Sequence, residues 1–108
     1  MADVLGARVF VFLSEDDRYG HHRADEELLQ RARAAGVAGA TVWRGVEGFG
    51  ASGHLRTTRF PDVADGLPLV LEVVDVPDRV DSFLREVRDV MPDALVTREE
   101  VRMSLPGP

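Results

Sequence analysis

Two stretches of this chain read as strands that are apolar on both sides, and that limits what it can fold into. In Arg8–Leu13 (RVFVFL), Val9, Val11 and Leu13 share one face of a strand while Phe10 and Phe12 share the other. In Leu69–Val74 (LVLEVV), Leu69, Leu71 and Val73 likewise oppose Val70 and Val74. Only two helices are legible elsewhere, and two helices cover one face of a small sheet. A second face carrying large apolar residues therefore needs another cover, and further subunits would supply it. The pattern predicts an oligomer.

The helices are read from their stripes. Ala24, Leu28, Ala32 and Ala35 recur at helical spacing, Leu29 widens the stripe, and Gly36 is a natural stop. Asp25, Glu26 and Glu27 open this helix and Arg31 and Arg33 lie near its end, signs that suit its dipole. The second helix begins at Pro77, after Asp75 as a candidate cap, and carries Val80, Phe83, Leu84, Val87 and Met91 before Pro92 and Asp93 end it. Val37–Arg44 (VAGATVWR) reads as a second strand. Leu95–Met103 reads as a last strand interrupted at Glu99 and Glu100. Ser14–Arg23 is a polar connection punctuated by Gly20, and Gly45–Leu67 is a long Gly-rich loop in which His54–Phe60 could be extended ribbon.

The order is β-α-β, a long loop, then β-α-β. That predicts an α+β, ferredoxin-like βαββαβ fold: a four-stranded antiparallel sheet with two helices on one face. At 108 residues the whole chain, 1–108, fits one domain, with its core over about 8–103.

Composition narrows function. Nineteen acidic residues face thirteen basic ones for a net charge of −6, which argues against a nucleic-acid or anionic-membrane surface. Every cation is Arg, so there is no Schiff-base or P-loop lysine, and the absence of Cys removes disulfides, thiolate nucleophiles and Cys-type metal sites. No apolar run approaches the roughly 18 residues of a membrane span, and the first residues do not read as a signal peptide, so a cytoplasmic location is expected.

Three blocks carry a likeness: Leu13–Tyr19 (LSEDDRY), Gly36–Gly50 (GVAGATVWRGVEGFG) and Leu67–Asp75 (LPLVLEVVD). Together they resemble the domain-of-unknown-function family 190, itself similar to the PII signalling proteins. The resemblance runs from about Arg8 to Met103. It implies a homotrimer with ligand clefts between subunits, and a long exposed loop after the second strand, 45–67 here, that engages a protein partner. It departs at Met91-Pro92-Asp93-Ala94, where PII proteins hold phosphates with a Gly-rich basic loop and this chain has neither Gly nor a cation.

Gly48-Phe49-Gly50-Ala51-Ser52-Gly53 spells G-x-G-x-x-G, yet His54–Pro61 lacks a helical stripe, so a dinucleotide-binding turn is not expected. Gly45, Gly48, Gly50 and Gly53 instead give the loop backbone freedom, with positive φ available, and their N–H groups suit an anion. Arg44, His54, Arg56 and Arg59 flank the loop; Arg44, just after a strand and before the first Gly, is the leading candidate for pairing an anionic ligand. The expected ligand-binding set is Arg44, Gly45, Glu47, Gly48, Gly50, His54 and Arg56, and the ligand is a nucleotide or another anionic metabolite. Ser14–Asp17 clusters three acids, read as a loop cap and surface charge, with acid–base chemistry or cation binding as the alternatives. His21 and His22 adjoin and cannot face one metal together. Trp43 and Phe49 offer a stacking platform, against which a strand Trp serves core or interface. The favoured reading is a non-catalytic sensor; the alternative is a small α+β-barrel enzyme using His54 or Asp17 as general base.

Overall fold

A central strand with apolar residues on both sides organises the computed structural model, which describes residues 3–50, 52–59 and 66–106. This strand, β1 (Asp3–Ser14), begins at Asp3 rather than Arg8. Two short strands follow, β2 (Arg18–Tyr19) and β3 (His22–Arg23), paired across Gly20, whose φ of 59° suits the tight turn. Helix α1 spans Ala24–Ala35 and ends at Gly36, left-handed at φ 69°. Next come β4 (Gly39–Arg44), β5 (Glu47–Gly48) and β6 (Arg56–Thr57), then β7 (Pro68–Asp75), α2 (Pro77–Val90) and β8 (Leu95–Ser104).

The main sheet has the order β4-β7-β1-β8 with every neighbouring pair antiparallel, the ferredoxin-like arrangement. Both helices cover one face. Val9, Val11, Leu71 and Val73 from the strands meet Leu28 and Ala32 of α1 and Val80, Phe83 and Val87 of α2, all fully buried. Phe83 is the largest of these side chains.

Asp75 does not cap α2. Its carboxylate accepts from the N–H groups of Ala38 at 3.0 Å and Val76 at 2.6 Å, and Val76 occupies the cap position with no side-chain hydrogen bond. Arg79 then ties the two helices: its Nη1 donates to the Gly36 carbonyl at 3.0 Å, and its Nε lies 3.5 Å from Asp75.

The expected break at Glu99 and Glu100 is absent, since β8 runs through both. Two of the charges on this edge strand find partners, one on each side: Glu99 takes Arg8 on the open face, and Arg98 takes Asp81 of α2. Edge strands tolerate such charges because one flank stays in water.

The uncovered face is apolar at one end and polar at the other. Register places Trp43, Val70, Phe12 and Leu95 in one row across all four strands, with Trp43 57% and Leu95 64% exposed. This row lies at the end where β4 enters the long loop. Farther along the sheet, the Trp43 indole donates to Glu72 at 2.9 Å and Arg8 pairs with Glu99. No helix among the described residues is long and apolar enough to cross a membrane.

Candidate functional site

The loop end of the sheet holds a cleft of about 870 Å³. Its floor is the end of β1 and the start of β7. One wall is the ribbon formed where Glu47–Gly48 pairs with Arg56–Thr57, and the other is the connection 91–94 between α2 and β8. Phe12, Val70 and Leu95 extend the lining onto the open face of the sheet.

The loop base is locked by a single carboxylate. Glu15 accepts from the Leu67 N–H at 3.0 Å and from Arg44 Nε at 2.9 Å, with Arg23 at 3.8 Å. Its own N–H donates to the Leu67 carbonyl at 3.0 Å. The Arg44 hydrogen bond, helped by the Leu67 N–H and opposed by desolvation, holds the Glu15 carboxyl below the usual glutamate range. Beside it the Gly45 N–H donates to the Pro68 carbonyl at 2.8 Å, and a Cβ on Gly45 would lie 2.9 Å from the Pro68 ring. Close approach, and not a positive φ, is what Gly45 provides; in the loop Gly53 alone among the described glycines from 45 to 53 has one, at 72°.

The expected ligand residues divide in two. Gly48, Gly50, His54 and Arg56 line the cleft; Arg44, Gly45 and Glu47 do not. Arg44 is committed to Glu15, and Glu47 to Arg59 at 2.9 Å, so both build the loop rather than the cleft surface. The side chain of His54 is exposed on the ribbon. Of the expected ribbon His54–Phe60, Arg56–Thr57 is strand; the residues 60–65 lie outside the described ones. The described residues 54–59 that follow Gly53 are not helical, which does not match the dinucleotide-turn geometry.

The acidic turn caps itself. Asp17 Oδ2 accepts from the Ser14 N–H at 2.8 Å, and Ser14 Oγ accepts from the Asp16 N–H at 3.1 Å. Among the described residues no three His, Asp or Glu side chains gather as metal ligands would. Phe49 lines the cleft and Trp43 does not, so the two aromatics form no shared platform there. The lining at 91–94 was not anticipated, because that connection lacks Gly and cations; its shortness, between a helix and a strand that must reach the same sheet end, was the available clue.

The molecule has clear relatives. A UPF0166 protein of Aquifex aeolicus (strain VF5) is 31% identical over 93 residues, 86% of this chain and 88% of that one. In structure the chain is similar to CPII of Thiomonas intermedia K12, a nitrogen regulatory PII-like protein bound to ADP, AMP and bicarbonate. That match has a TM-score of 0.63 and 17% identity, covering 94% of this chain and 91% of the other. It is also similar to CutA1 from Oryza sativa, with a TM-score of 0.57, 12% identity, and 97% and 85% coverage. These likenesses show the ferredoxin-like fold read from the element order, in the PII-like form that the family resemblance implied. Residues 6–103 match the family model DUF190, described as Uncharacterized ACR, COG1993, and the chain belongs to that family.

Proposed function

We propose that this protein is a PII-like ligand sensor without catalytic activity, taking a nucleotide-class anionic metabolite in the cleft at the loop end of the sheet. The observation that carries this reading is the cleft itself: about 870 Å³ between a Gly-rich ribbon and the turn 91–94, with apolar and polar groups side by side. Gly48, Gly50, His54 and Arg56 are its ligand contacts from the ribbon side, and Arg44, Gly45 and Glu47 act by holding the ribbon's base. CPII, which shares the fold, binds ADP, AMP and bicarbonate, and that supports a nucleotide here.

The cleft runs onto the apolar row Trp43-Val70-Phe12-Leu95, so a second copy packed on the open face would close it. In this reading the protein is a cytoplasmic homotrimer with ligand sites between subunits. The loop 45–67 then meets a protein partner through Val46, Phe49 and Leu55, which are 70%, 71% and 56% exposed. The enzyme alternative is less well supported, because His54 stands exposed with no side-chain partner among the described residues to orient it, and Asp17 is occupied by the Ser14 N–H.

Calorimetric titration with ADP and AMP tests the ligand, with native mass spectrometry reporting subunit number on the same sample. Expected are one site per chain, affinity weakened more than about fivefold by Arg56→Ala, and three chains per particle. No heat with either nucleotide would reject the reading.

A further inference from the structure

Three arginines frame the loop, and carboxylates hold two of them tightly. Arg44 donates to Glu15 through Nε at 2.9 Å and Nη2 at 3.3 Å, and Arg59 Nη2 donates to Glu47 at 2.9 Å. Neither lines the cleft. Arg56 does, as the only arginine among the described residues of the lining, and its partnership is of another kind. Its Nη2 lies 3.6 Å from Asp16 Oδ2, too far for a hydrogen bond, so the two attract as charges alone. Their side chains are 37% and 53% exposed.

Asp16 lines the cleft as well, and its place there is built. Its N–H donates to Ser14 Oγ at 3.1 Å, which fixes the turn after β1. Its carboxylate lies in the space that a Cβ on Gly66 would fill, so the bare backbone at 66 admits it beside Arg56. The other acids of the lining are placed differently: Asp17 accepts the Ser14 N–H at 2.8 Å, and Asp93 belongs to the turn 91–94, whose carbonyls at Pro92 and Ala94 accept from Arg88. An anion entering the cleft therefore seeks the guanidinium that Asp16 already neutralises.

We infer that Asp16 is an internal competitor for the ligand, occupying Arg56 until a ligand's anionic group displaces it. This rests on the anionic-nucleotide reading above and adds a built-in brake on affinity at the same site. The exchange is feasible because an exposed pair of this kind shifts an equilibrium by no more than about fivefold. A phosphate brings more charge than a carboxylate, and three acceptor oxygens for the guanidinium. Arg44 and Arg59, each hydrogen-bonded to its carboxylate, are not offered for exchange in this way.

The experiment is calorimetric titration of ADP into the wild type, Asp16→Asn, Asp16→Ser, Arg56→Ala and the double variant Asp16→Asn/Arg56→Ala. The Asp16 carboxylate gives up only an exposed ion pair, so its variants should melt as the wild type does. The expected result is ADP bound about threefold tighter by both single Asp16 variants. In the Arg56→Ala background the same Asp16→Asn change should gain less than about 1.5-fold, because the competitor then has no guanidinium to occupy. ADP no tighter in the Asp16 variants, or a gain of equal size with and without Arg56, overturns the inference while leaving the nucleotide reading in place. No heat from any of the five proteins overturns both.

Discussion

Replacing Glu15 should loosen the loop base in a way that separates its two jobs. Glu15→Ala removes the acceptor of the Leu67 N–H, a partly buried donor, and the partner of Arg44. The unsatisfied N–H costs about 1–3 kcal/mol. The Arg44 pair adds about 0.5 kcal/mol, since Arg44 is more than half exposed and water replaces its partner. A loss of about 2 kcal/mol is therefore expected. Glu15→Gln keeps an acceptor for Leu67 and loses only the charge, so about 0.5 kcal/mol is expected for it. Urea unfolding followed by the fluorescence of the single Trp, Trp43, at one fixed protein concentration measures both. The acid side gives an independent check. Because the folded Glu15 carboxyl is held below its ordinary value of 4.5, the unfolded chain takes up this proton first as pH falls. Its contribution is complete above that value and disappears as pH drops through the lower, folded one. The stability gap between the wild type and Glu15→Gln should thus shrink below pH 4.5. Equal stability of Glu15→Ala and the wild type at neutral pH, or a gap constant down to pH 3, would refute the clamp.

Two other outcomes follow from the packing. Phe83→Ala empties the largest fully buried side chain and should cost about 3–5 kcal/mol by the same urea assay, the greatest loss among these variants. Trp43→Glu combined with Leu95→Glu places charges in the apolar row of the open face and should shift sedimentation to the single chain while leaving the circular dichroism of the fold intact.

The sequence made the helices and the two inner strands readable because one stripe or one alternation serves each of them. Val80, Phe83 and Val87 had to face a core, and they do. It failed on β8, where Glu99 and Glu100 looked like a break. The strand runs through them because β8 pairs with β1 continuously from Leu95 opposite Phe12 to Ser104 opposite Asp3, and Arg8, ninety-one positions from Glu99, adds a counter-charge; no local pattern announces either. The partner of Arg44 was hidden for the same reason in reverse. Before a Gly hinge Arg44 resembled a free cation, but the sheet order β4-β7-β1 brings the end of β1, and with it Glu15, within reach. The second cleft wall, 91–94, has an unremarkable sequence and acquires its role only from the end of the sheet at which it turns. Ribbon residues Gly48, Gly50, His54 and Arg56 stood out in the sequence because glycine density and cations coincide there, and they line the cleft.

The closure of the loop base also bears on how freely this protein can change. Gly45 and Pro68 are joined by a hydrogen bond of 2.8 Å, and Glu15 fastens both flanks, so the loop begins and ends at neighbouring points. For a flexible segment with joined ends, doubling its length costs only about 0.6 kcal/mol. The sheet and helices set no length for that segment. Insertions beyond the knot would leave the body folded, whereas replacements between Gly48 and Arg56 would also rewrite one wall of the cleft, so the loop can vary in length more freely than in the residues that face the sheet end.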